Sequence, residues 1–99
     1  MHLPPIYGRN LRFLREIRGD TQQDLADYLK KVSKNSIGKY EKGIHDLSGT
    51  DLMKLADYFG VTETELLRKD LWRMSDEEIA ALKTRWGEGA KKEKVLEGV

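Results

Sequence analysis

Lys34, Asn35, Lys39 and Lys42 crowd one short stretch of this chain, and every one of them carries a hydrogen-bond donor. A lysine ammonium suits guanine O6/N7 or a phosphate, and an asparagine amide matches adenine N6/N7, so the chemistry on offer is recognition of nucleic acid rather than catalysis. Interleaved with them, Ile37, Tyr40 and Ile44 recur at three- and four-residue spacing and should face a core. A helix divided in this way presents a polar, cationic outer face that can enter a groove. Two choices on that face do nothing for folding. Lys34 falls in the first turn, where the helix dipole disfavours a cation by roughly 0.3–1 kcal/mol. Gly38 costs about 1 kcal/mol against alanine in mid-helix. Locally unfavourable residues grouped on one exposed surface point to function; the bland alternative is a solvated charged face with a neutral glycine.

The elements that must hold this face announce themselves by repeated start signals. Val32-Ser33…Ser36-Ile37, Leu47-Ser48…Asp51-Leu52, Val61-Thr62…Glu65-Leu66 and Met74-Ser75…Glu78-Ile79 each read as an N-cap with a hydrophobic staple. Thr21…Asp24-Leu25 has the cap without the staple. A first helix begins after Pro4-Pro5 and runs through Leu11, Leu14 and Ile17 to Gly19, and Gly60 reads as a C-cap. No strand pattern competes. The expected fold is all-α: a five-helix domain over residues 1–70 followed by a C-terminal helical extension over 71–99. Core positions by periodicity are Leu11, Leu14, Leu25, Leu29, Ile37, Tyr40, Leu52, Leu55, Phe59, Leu66 and Leu67. Tyr28, Tyr40 and Tyr58 read as core or rim rather than as base-stacking rings.

Composition limits the rest. With 38% hydrophobic residues in 99, the core is modest and helical. No run is long or apolar enough to span a membrane, and the start, MHLPPIYG, lacks a signal peptide's basic and apolar regions, so a cytoplasmic address is expected. The absence of cysteine excludes disulfides and thiolate metal sites. The net charge of +1 hides a division: residues 1 to 43 hold nine Lys/Arg against five Asp/Glu, whereas residues 44 to 70 hold three against six. A basic first half is expected if one side meets phosphate.

Residues 21 to 43 resemble the helix-turn-helix of the phage repressor and Cro family of DNA-binding regulators. The match rests on Gln22 opening the first motif helix, Leu25-Ala26 at the helix crossing, Val32-Ser33 starting the reading helix, and Ile37, Tyr40-Glu41 and Gly43 closing it. Arg15 matches a family arginine that pairs with the glutamate at Glu41. Leu52-Met53-Lys54-Leu55-Ala56 through Leu66-Leu67 match the last two helices, so the likeness covers residues 6 to 70. It implies that Lys34, Asn35 and Lys39 read bases, that Gln22, Lys30, Lys31, Ser33 and Lys42 meet the DNA backbone, and that Arg15 and Glu41 form a structural ion pair. It also implies a homodimer on an inverted repeat of double-stranded DNA. Two departures stand out. Lys30-Lys31 replace the usual turn glycine, so the turn is expected to be longer and to lack its left-handed residue. Ile44-His45-Asp46-Leu47 offers no permanent cation where relatives are often basic.

Beyond residue 70, Ile79, Leu82 and Trp86 share one stripe, interrupted after it by Gly87-Glu88-Gly89, with a charged end AKKEKVLEGV. The stripe can pack on its own domain or pair with a second copy, and pairing is the preferred expectation. An enzyme reading has little support: His2 and His45 are the only histidines, and neither a Gly-rich phosphate loop nor metal-spaced carboxylates occur, so no cofactor and no metal are expected. Asp76-Glu77-Glu78 reads as the acidic first turn of a helix. The rival is an antitoxin-like or antirepressor protein-interaction module that keeps this fold and uses the Ile79/Trp86 stripe.

Overall fold

The computed structural model describes residues 3–31 and 33–87. Among the described residues six α-helices follow one another: α1 (Ile6–Arg18), α2 (Gln22–Leu29), α3 (Lys34–Lys42), α4 (Gly49–Phe59), α5 (Glu63–Arg68) and α6 (Asp76–Trp86), with a 3-10 turn at Leu71–Arg73 between the last two. The described residues contain no strand, in agreement with an all-α five-helix domain and a C-terminal helix. None of these helices is long and apolar enough to cross a membrane. Val32 and the tail from Glu88 onward, both part of the expectations above, lie outside the described residues.

Local chemistry places the helix starts. Thr21 with Asp24, Thr62 with Glu65 and Ser75 with Glu78 close reciprocal capping boxes, while Ser48 accepts the Asp51 N–H and Ser33 the Asn35 N–H. Each cap contributes about 1 kcal/mol. Inside, Leu11, Leu14, Leu25, Ile37, Leu55, Phe59 and Leu66 lose all solvent contact. Tyr40 is buried, Tyr58 is half-buried and Tyr28 is exposed, its ring 4.5 Å from that of Tyr58. Two expected core residues lie outside instead. Ile44 falls beyond Gly43, where a left-handed cap ends α3, and is 63% exposed; Leu67, next to Leu66 on a six-residue helix, turns to solvent.

Gly8 explains how closely α1 and α3 approach. A Cβ there would stand 2.5 Å from the Glu41 carbonyl oxygen, so only glycine lets the helices meet. Two residues further on, α1 is tied to α5 by Asn10, which is wholly buried. Its amide donates to the carbonyls of Leu66 (2.8 Å) and Lys69 (2.7 Å), and its oxygen accepts the Leu71 N–H at 3.0 Å. One side chain thus serves the orphan carbonyls at the end of α5 and the donor that begins the next turn.

The preferred use of the C-terminal stripe is corrected for two of its residues. Leu82 and Trp86 are buried in the core of their own domain, and the Trp86 indole N–H donates to the Phe59 carbonyl at 2.8 Å. Arg85 reaches the neighbouring Gly60 carbonyl, also at 2.8 Å. α6 therefore closes the C-terminal end of α4, whose last carbonyls would otherwise lack partners. Ile79 stays half-buried at the edge.

Candidate nucleic-acid interface

The face of α3 is set by the helix behind it. Ile37 and Tyr40 are buried, which turns Lys34, Asn35, Lys39 and Lys42 outward, and all four are exposed. Asn35, Lys39 and Lys42 follow one another at four- and three-residue steps along one stripe, with Lys34 beside it at the first helical position. Ser33 is spent on capping, its hydroxyl accepting the Asn35 N–H at 3.3 Å. A Cβ at Gly38 would make only ordinary contact with the Gln22 amide, at 3.6 Å, so nothing within the chain demands glycine there.

Glu41 anchors this helix from below. Its buried carboxylate accepts Arg15 Nε at 2.6 Å and Arg15 Nη2 at 3.2 Å, a forked pair between α1 and α3. The hydrogen bond to Glu41 raises the Arg15 pKa against the opposing effect of burial. Gln22 adds a third donor to the same carboxylate at 3.1 Å. Gln22, expected at a phosphate, thus holds the start of α2 against α3 through its amide. It opens α2, whose first backbone N–H groups have no acceptor within the helix.

The turn between α2 and α3 departs from expectation. Lys30 has φ 61° and ψ 37°, the one left-handed residue other than glycine among those described. The left-handed conformation is retained without glycine, at a cost of about 1–2 kcal/mol. The next residue is engaged from outside the motif. The Lys31 ammonium lies 2.9 Å from Asp51 Oδ2 in the first turn of α4, and the Tyr40 hydroxyl donates to the same oxygen at 2.5 Å. Burial alone would raise the Asp51 carboxyl, but hydrogen bonds from Tyr40 and Lys31 outweigh it and hold the group below its ordinary value. The bond to Asp51 raises Lys31 in turn, and burial raises Tyr40. Lys31, expected at the DNA backbone, is therefore engaged with a carboxylate of its own chain. Lys30 remains exposed.

Sequence reasoning missed Asp51, because its place as a capping residue explained it sufficiently. It also missed Arg9 and Arg12. These line an open groove of about 670 Å³ together with Gln22, Gly38 and Lys42, between α1 and the two motif helices. Arg9 is stacked 3.8 Å over the Trp72 ring, and Arg12 pairs with Glu16 on the surface. Their spacing on α1 was visible, but nothing local showed that they share a groove with Lys42. The loop after Gly43 is tied back by the Tyr7 hydroxyl, which donates to the His45 carbonyl at 2.9 Å. No group of three or more potential metal ligands occurs among the described residues.

A family model described as helix-turn-helix matches residues 11–66, from within α1 to within α5. No curated protein and no solved structure matches the chain. With more than half its length matched, and with α2 and α3 crossing at a short turn that leaves a cationic helix outermost, the chain belongs to the helix-turn-helix family of the repressor and Cro type, a family of DNA-binding transcription regulators.

Proposed function

We propose that this protein binds double-stranded DNA sequence-specifically through the major groove and acts as a transcriptional repressor, as a homodimer on an inverted repeat. The observation that carries the reading is the outward row of α3 donors, Lys34, Asn35 and Lys39, on a helix braced by Arg15, Glu41 and Gln22. Lys34 would donate to guanine O6/N7, Asn35 would pair with adenine N6/N7, and Lys39 would read a base or reach the flanking backbone. Lys30, Lys42, Ser33 and the N-terminus of α2 at Gln22 would meet phosphate, with Lys31 sharing its charge with Asp51. Arg9 and Arg12 add cations on the same side as Lys42. Two copies would sit on half-sites about 34 Å apart, one DNA turn. The competing interaction module has less support, since the Trp86 it would use is buried.

Selection of bound duplexes from a random pool, repeated with Lys34→Ala and Asn35→Ala, tests this. The expected result is an enriched inverted repeat whose preferred bases change with each substitution, and an affinity that falls steeply with salt. Absence of enrichment at moderate salt would rule out sequence reading by α3.

A further inference from the structure

We propose that Asp51 is a positioning residue for DNA reading: from α4 it grips the α2–α3 turn at Lys31 and the last turn of α3 at Tyr40 at once, and so sets how α3 is presented. This rests on the DNA-binding reading above. Lys31 follows the left-handed Lys30 directly, and Tyr40 lies six residues beyond the start of α3, yet both meet the same Asp51 oxygen. The carboxylate is almost wholly buried, at 4% exposure for the residue, so the contact is fixed rather than a passing surface pair. A second tie runs beside it, the Tyr28 hydroxyl of α2 donating to the Lys54 carbonyl of α4 at 3.2 Å. α4, which carries none of the residues assigned to base reading, therefore acts as the bracket of the reading helix. Base-edge contacts demand placement within a fraction of an ångström, whereas phosphate contacts to long lysines tolerate more. Loosening the bracket should thus erode specific binding before non-specific binding.

The experiment measures affinity for the selected duplex and for a scrambled one, well below the melting temperature, for the wild type, Asp51→Asn, Lys30→Gly and the double variant. The ratio of the two affinities is the readout, because loss of a lysine charge lowers both alike. Asp51→Asn should lower the ratio about tenfold, the equivalent of one lost bidentate base contact. Lys30→Gly should restore most of it, since glycine takes the left-handed turn without support. An unchanged ratio in folded Asp51→Asn, or no recovery on adding Lys30→Gly, overturns the proposal. If Asp51→Asn does not fold, Tyr40→Phe and Lys31→Met are read for the same ratio, with the same two outcomes.

Amide exchange separates this proposal from the one beneath it. The Lys31 N–H bonds to the Ala26 carbonyl at 2.8 Å, and the Val61 N–H to the Ala56 carbonyl at 3.0 Å, an identical closure at the end of α4. If the wild type prefers no duplex, the DNA-reading proposal fails alone, and exchange decides whether Asp51 holds the turn. Acceleration of at least tenfold at Lys31 over Val61 in Asp51→Asn sustains the holding role; equal acceleration at both overturns it.

Discussion

The ends of α2 and α4 close with the same backbone geometry and different means. At α4, Gly60 takes φ 71° and ψ 28°, its N–H bonding to Asp57 and the next N–H to Ala56. At α2, Lys30 takes φ 61° and ψ 37°, with the matching bonds to Asp27 and Ala26. Glycine takes the first turn without conformational cost, and Trp86 and Arg85 of α6 bond the carbonyls left at its end. Lysine makes the second at a conformational cost, and the Lys31–Asp51–Tyr40 cluster beside it supplies support from another helix. The glycine turn lies under α6, far from the reading helix in sequence, while the lysine turn adjoins it. A turn whose residue is strained leans on the contacts around it, whereas glycine adopts the same left-handed conformation without steric cost.

Four measurements break or sharpen this contrast. The reading-helix side rests on buried polar partners, so removing one there should do the most harm. Glu41→Ala leaves Arg15 partly buried without its carboxylate and should cost about 3–5 kcal/mol, far more than Lys34→Ala on the exposed face. Equal melting temperatures for the two variants would refute the asymmetry. On the other side the backbone itself is the weak point. Gly60→Ala places a Cβ in open contact distance, 3.8 Å from Leu82, so its expected loss of about 1–2 kcal/mol in denaturant unfolding is conformational alone. A neutral result would show that the left-handed cost is small, and with it the need for support at Lys30. Next, Lys30→Gly should stabilise by about 0.5–1 kcal/mol, as relief of the left-handed conformation exceeds the added unfolded-state entropy. A fall in melting temperature would count against strain at that residue.

The fourth test reads no difference at neutral pH and separates the two ends at the extremes. Asp51 titrates below its ordinary value, so its contribution is full above the usual carboxylate range and is lost as pH falls through the folded value. Tyr58, on α4 just before Gly60, is pushed by burial and by Asp20 from 10.0 to about 12. Its hydroxyl donates to Asp20 at 2.8 Å, and that contribution is full below pH 10 and is lost as pH rises through about 12. Protection from amide exchange, relative to the intrinsic rate at each pH, should therefore be lost first at Lys31 in acid, and in alkali first at Val61. Absorbance titration of Tyr58→Phe against the wild type should remove the last tyrosinate step, and its persistence would contradict the assignment.

What could be read from the sequence was whatever three or four consecutive residues decide. Thr21 with Asp24, Thr62 with Glu65 and Ser75 with Glu78 placed the helix starts because each cap and its partner lie three residues apart. The outward row of Lys34, Asn35 and Lys39 was visible for the same reason. What stayed hidden depended on distant partners. Lys30 seemed unable to replace glycine because Asp51, some twenty residues on, is invisible to a local pattern. The Leu82 and Trp86 stripe was plainly apolar, but periodicity names no partner, and the partner proved to be Phe59 and its neighbours. Ile44 continued the stripe of α3 on paper, although Gly43 had already ended the helix.

Asn10 has a consequence for the order in which the molecule can be completed. Its amide finds its partners 55 to 61 residues further along the chain, at the end of α5 and at Leu71. At a synthesis rate of about 5–20 residues per second, several seconds separate the emergence of α1 from that of the groups it needs. During that interval α1 carries a polar side chain destined for a dry interior with nothing to bond. The first helix to be made is thus among the last to be sealed, and a nascent chain cut short before Glu65 would leave the ribosome with its N-terminal helix unlatched.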